Sequence, residues 1–181
     1  MSTQKNTSHR ALVLKSKATG EGDLLVTLLT PEQGKILVVA KGARRLTSSR
    51  RAHLESGNLI TAYLVTTKSL PILSQTRLLA DSGPCRENLK LTRRLFEYLE
   101  ILDAITVAEE IELTIFAHLL HIRELIINQS PHHQIKTALS QLLTAFGISE
   151  ENPLTTTPNL SALVSDFTGR KLLAFEYLRN S

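Results

Sequence analysis

Five short runs of branched and apolar residues follow one another between residues 11 and 79, and beyond them the pattern changes. The runs are ALVLKSK at 11–17, LLVTLLT at 24–30, KILVVAK at 35–41, LITAYLVTT at 59–67 and ILSQTRLL at 72–79. Val, Ile, Leu and Thr at this density, bounded by turn residues, predict strands. Gly20 and Gly22 separate the first two runs, Pro31-Glu32-Gln33-Gly34 the next two, and Gly57 opens the fourth. Proline early and glycine late is the chemistry of a tight turn. Helical spacing is absent from this half except near residues 47–55. Five strands in about 70 residues predict a small closed barrel, and the five-stranded OB-fold is the natural candidate. An SH3-like barrel would leave a similar pattern.

After Gly83-Pro84 the apolar period lengthens to three and four residues. Leu91, Leu95, Tyr98, Leu102 and Ile105 share one helix face,. Asp81 or Ser82 is placed to cap that helix ahead of Pro84. Leu113, Phe116, Ala117, Leu120 and Ile127 mark a second helix. Ile135, Leu139, Leu142, Leu143 and Phe146 mark a third, bounded by Pro131 and Gly147,. A polar, proline-bearing loop at 149–158 precedes a last helical stretch, opening at Asn159 or Ser161 and carrying Leu163, Val164 and Phe167. Gly169 is placed to kink it before Leu172, Leu173, Phe175 and Leu178. The expected class is α+β: a barrel at residues 9–80, then a small helical domain at 81–181, with residues 1–8 a disordered polar lead.

Charge divides along the same line. Residues 1–78 carry twelve Lys or Arg against four acids, a balance of +8, whereas the remainder carries nine against thirteen, a balance of −4. The first half suits a polyanion and the second a structural or protein-binding role. The densest cluster is Lys41-Gly42-Ala43-Arg44-Arg45 with Ser48-Ser49-Arg50-Arg51, five cations within eleven residues where a strand ends. Guanidinium groups fit phosphate oxygens in a bidentate way, serine hydroxyls add neutral donors, and Gly42 permits close backbone approach. The alternative is a solvated loop that is basic only for solubility. Tyr63 is the one aromatic among the first 80 residues and lies in an apolar strand. It reads as a core residue, so base stacking should be weak and binding sequence-independent, through phosphates.

No set of residues assembles an acid, a base and a nucleophile, so the chain reads as a non-enzyme without cofactor or metal. Gly20-Glu21-Gly22-Asp23 lacks the Gly-Lys-Ser/Thr ending of a phosphate loop and reads as a turn,. His118 and His121 lie one helical turn apart with Glu124 next, but nothing completes a ligand set. His132 and His133 read as exposed, and Glu109, Glu110 and Glu112 as a solvated helix start. Cys85 is the single cysteine. It can make no internal disulfide and reads as an inert thiol in a reducing, cytoplasmic setting. No apolar run is long enough to span a membrane, and the amino terminus has no signal-peptide core.

Ala11–Lys17, Gly22–Thr30, Gly34-Lys35 and Val39–Arg45 together resemble the start of the RecO recombination mediators. That family's pattern is a valine-leucine strand, a "GE-D-L-T-LLT" strand, "GK" and a "V-KGARR" turn. The likeness is strong over residues 10–80, extends through the helices to Gly147 and is thin beyond. It implies an amino-terminal OB-fold and a carboxy-terminal helical domain. It implies binding of single- and double-stranded DNA, strand annealing and a nucleoid-associated role in recombinational repair. The implied partners are RecR, the tail of the single-strand binding protein and, indirectly, RecA. The family's basic turn falls on Lys41, Arg44 and Arg45, and Lys35, Arg50 and Arg51 extend it as expected DNA contacts. The four-cysteine zinc motif of many relatives has no counterpart in a chain with one cysteine, and the chain is shorter than most members. A protein-interaction adaptor and an RNA-binding OB protein are the competing readings.

Overall fold

The computed structural model of the protein describes residues 6–45, 48–148 and 160–169. The chain forms two compact units. One takes in residues 1–82 with the segment 107–111, and the other takes in 83–106 and residues from 112 onward.

The first unit is an OB-fold. Strands β1 (Asn6–Thr19), β2 (Asp23–Thr30), β3 (Gly34–Ala40), β4 (Leu59–Val65) and β5 (Ile72–Ala80) close a barrel in the order β1-β2-β3-β5-β4. Neighbours are antiparallel except β3 and β5, which meet in parallel at Val39 and Ile72. Alternation fixes which residues point inward. Ala11 and Val13, Val26 and Leu28, and Val38 and Ala40 are all fully buried in one cluster,. The short helix α1 (Arg50–His53) follows β3, and Leu54 behind it joins the same core. Buried Asn58 ties the base of the barrel together. Its Nδ2 donates to the carbonyls of Ala52 and His53, and its Oδ1 accepts from the Ser82 amide and hydroxyl.

Strand β1 begins earlier than its apolar run. Asn6, Thr7 and Ser8, expected in a disordered lead, pair with Val65, Leu64 and Tyr63 of β4. The ladder partner supplies what local composition does not, and residues 1–5 lie outside the described part. Segment 107–111, expected among the helices, packs on the β2–β3 turn. The Lys35 amide donates to the Val107 carbonyl at 2.8 Å, and the Ile111 amide to Pro31 at 2.7 Å. Glu109 and Glu110 belong to this strap rather than to a helix start.

The second unit is helical, with α2 (Gly83–Arg86), α3 (Leu89–Ile105), α4 (Leu113–Ile127), α5 (His132–Ala145) and α6 (Leu160–Thr168). The five residues expected on the buried face of α3 are buried. Its cap is Asn88 rather than Asp81 or Ser82, because α2 intervenes. Asn88 Oδ1 accepts from the amides of Lys90 and Leu91,. In α4 the buried face is Phe116, Leu119, Leu120, Ile122, Arg123, Ile126 and Ile127, so expected Leu113 and Ala117 are exposed. Helix α5 buries Ile135, Leu139, Leu142 and Leu143 as expected and stops before Gly147, whose φ is +71°. Val164 of α6 is buried and Phe167 exposed. The 149–158 loop and the apolar residues from 172 to 178 lie outside the described residues.

Candidate nucleic-acid interface

The turn leaving β3 is built to hold cations outward. Ala43 points into the barrel core and is fully buried, so it anchors the turn from below. Gly42 has φ +65°, a left-handed conformation that costs an L side chain roughly 1–2 kcal/mol,. Its amide donates to Asp23 Oδ1 at 2.7 Å. The Arg44 amide donates to the Gly22 carbonyl at 2.9 Å, and its guanidinium reaches the Gly20 carbonyl at 3.4 Å. The β3 turn is thereby pinned to the β1–β2 hairpin. The Arg45 side chain lies over Gly22 and Gly42, where an added Cβ would stand 3.8 Å and 3.5 Å from its nearest atoms. The glycine-acid run at 20–23 is therefore tied to the β3 turn. Its carbonyls and its carboxylate position the arginines.

Lys41, Arg44, Arg45 and Arg51 are exposed. No ion pair among the described residues involves Arg44 or Arg45. Asp23 is the acid at the centre of the turn, and it is committed to Gly42. Exposed Lys17, outside the expected set, stands two rungs from the hairpin end, since Lys17 pairs with Leu25 and Thr19 with Asp23.

Two expected contacts have different surroundings. The Arg50 guanidinium donates to three backbone carbonyls, of Lys41 at 2.6 Å, Leu73 at 3.1 Å and Ser74 at 3.2 Å. Such a fork closes the seam where β3 and β5 share little of a ladder. Lys35 is the second residue of β3, six residues before Lys41. At the rise of a strand that is roughly 20 Å from the turn, so Lys35 and the turn belong to opposite ends of β3,.

Tyr63 corrects the expectation of a core aromatic. Ile60, Ala62 and Leu64 set the inward phase of β4, so Tyr63 faces outward and is 39% exposed.

The remaining candidates have structural surroundings. His118 Nε2 lies 2.9 Å from the Ala138 carbonyl, a tie between α4 and α5. Cys85 is buried, and burial pushes its thiol above the ordinary value against the opposing pull of Arg123. Arg123 itself is 1% exposed, bonds Glu124 and has a further interaction beyond that bond. Its burial had no sequence signal. Among the described residues no group of three His, Cys, Asp or Glu is placed to hold a metal ion, and no helix is long and apolar enough to cross a membrane.

Comparison with known proteins agrees with this architecture. Residues 1–81 match the family described as "Recombination protein O N terminal". The chain is 37% identical over 83 residues to "DNA repair protein RecO" of Cutibacterium acnes, covering 45% of this chain and 34% of that protein. It is 36% identical over 108 residues to the protein of the same name from Myxococcus xanthus, covering 59% and 44%. It is 33% identical over 138 residues to that of Salinibacter ruber, covering 71% and 53%. The chain thus spans a third to about half the length of these curated relatives. These matches carry the likeness to the RecO family, with the barrel matching the family's amino-terminal domain.

Proposed function

We propose that this chain is a non-enzymatic DNA-binding protein of recombinational repair that holds single and double strands by their phosphates, anneals complementary strands and assists recombinase loading on gaps. The observation that carries the reading is the outward placement of Arg44 and Arg45, neither in an ion pair among the described residues, on a turn pinned by Asp23, Gly22 and Gly20. Preorganised guanidinium groups lose little freedom on meeting a phosphate and read no base sequence. Residues 9–80 serve as the DNA-binding domain, with Lys41, Arg44, Arg45 and Arg51 on phosphates. Arg50 positions that turn, and Lys35 contacts a strand that continues along β3. Residues 81–181 serve partner engagement, RecR and the single-strand binding protein's tail being the partners that the likeness to RecO suggests, with RecA reached indirectly. The names of the relatives support a DNA-repair role for this chain. The protein acts on chromosomal DNA in the cytoplasm.

Fluorescence anisotropy with single-stranded DNA, duplex DNA and RNA at two salt concentrations tests the reading, together with a strand-annealing assay with and without strands coated by single-strand binding protein. Salt-dependent binding to both DNA forms and accelerated annealing are expected. Salt-independent weak binding would favour a protein adaptor, and a marked preference for RNA would favour an RNA-binding role.

A further inference from the structure

The register of the barrel places a second set of recognition groups on its outer wall. Arg10 of β1 pairs with Thr61 of β4, and Thr61 pairs with Arg77 of β5, so these three residues form one outward row. The next row is Ser8, Tyr63 and Gln75. Arg10, Tyr63, Gln75 and Arg77 are all exposed. Residues facing each other across a ladder sit about 5 Å apart, and residues two positions along a strand about 7 Å apart. Tyr63 therefore leaves the wall one row from the two arginines, and no ion pair among the described residues engages either arginine. The rows also approach the basic turn. Arg50 bridges the Lys41 and Ser74 carbonyls, and the Ser74 hydroxyl donates to the Tyr63 carbonyl at 3.0 Å. From Lys41 to Tyr63 is then two strand spacings, roughly 10 Å.

We propose that single-stranded nucleic acid, as distinct from duplex, runs from the Lys41 turn across β5 onto this wall, stacking a base on Tyr63 while Arg77 and Arg10 take the flanking phosphates. This rests on the phosphate-binding reading above and adds a strand preference to it. An aromatic face offers every base a stacking surface, whereas a paired and stacked base has no face to give. Charge complementarity favours a polyanion over an apolar partner, since the adjacent row carries two arginines.

The test compares binding of a fluorescein-labelled thymidine oligonucleotide and of a duplex to the full chain and four variants. Tyr63→Ala should weaken the single strand roughly tenfold and leave the duplex within about twofold, and Tyr63→Phe should restore it. Arg10→Glu with Arg77→Glu should lower the single-strand salt slope by about 1–2. The Arg44→Glu, Arg45→Glu variant should weaken both ligands. Loss of binding in that last variant with Tyr63→Ala unchanged would overturn the wall proposal and spare the phosphate-binding reading. No loss in it would overturn that reading instead. Ultraviolet crosslinking of the unaltered protein to an oligonucleotide carrying 5-iodouracil gives a readout independent of variant folding. An adduct on Tyr63 supports the path, and adducts confined to other residues contradict it.

Discussion

The Asp23 carboxylate accepts a 2.7 Å hydrogen bond from the Gly42 amide, so the acid at the mouth of β2 shapes the cationic turn that leaves β3. The bond sets two effects of Asp23 against each other. It orders the turn, and its negative charge opposes any phosphate bound there. Substitution separates them. Asp23→Asn retains an acceptor at Oδ1 and removes the charge, so DNA affinity should rise a few fold at low salt. Asp23→Ala removes both and should cost about 1–2 kcal/mol of barrel stability by leaving the amide unpaired. Chemical denaturation and anisotropy on the two variants check this, and equal behaviour in both assays would deny Asp23 its positioning role.

Arg50 is distinguished from its neighbours by its partners. Arg50→Ala loses three hydrogen bonds from a charged donor and should destabilise the barrel by roughly 2–3 kcal/mol,. Lysine cannot reproduce the fork, so Arg50→Lys should recover little of it. Urea unfolding is the measurement. Arg51→Ala, at an exposed position, should unfold like the unaltered protein.

Gly34 is held where no side chain fits. Its φ is +61°, and a Cβ there would fall 2.1 Å from the Glu109 carbonyl oxygen and 2.4 Å from that of Val107. Gly34→Ala combines left-handed strain with overpacking and should cost roughly 2–5 kcal/mol, releasing the 107–111 strap. Hydrogen exchange should show the Lys35 and Ile111 amides losing protection before the core of β2.

These three residues show what was legible in the sequence. The five strands could be read because each apolar run ends in residues that favour turns. The cationic turn could be read because its charges are contiguous. What depended on distant chain was not legible. Arg50 looks like its neighbours until β5 supplies carbonyls. Asp23 looks like a hairpin acid until Gly42 arrives. Tyr63 sits in a strand apolar on both faces, so only the packing of Ile60, Ala62 and Leu64 decides its direction. Helix α4 is apolar around most of its circumference, which left its buried face undetermined and hid Arg123 on it.

Glu97 gives the helical unit a pH response. Burial pushes its carboxyl up to about 7, offset in part by Arg94 and reinforced by Glu100. A carboxyl with a raised folded value is favoured when protonated. Its contribution is therefore present below about pH 4.5, the ordinary value, and is lost as pH rises toward 7,. Glu97→Gln should raise stability at pH 8 by about 1–2 kcal/mol, allowing for solvent screening of a partly exposed group, and change little at pH 4.5. Thermal melts at the two pH values test it, and equal shifts at both would refute the assignment.

The most direct test of the central claim is the salt dependence of duplex binding by Arg44→Glu, Arg45→Glu beside the unaltered protein. With about four or five phosphates engaged, the log–log slope of the unaltered protein should be roughly −4. The variant should bind more weakly on every sequence tried, with a slope shallower by about 1–2 and an unchanged circular dichroism spectrum. Equal affinity and equal slope in a folded variant would contradict the claim that this turn meets phosphates.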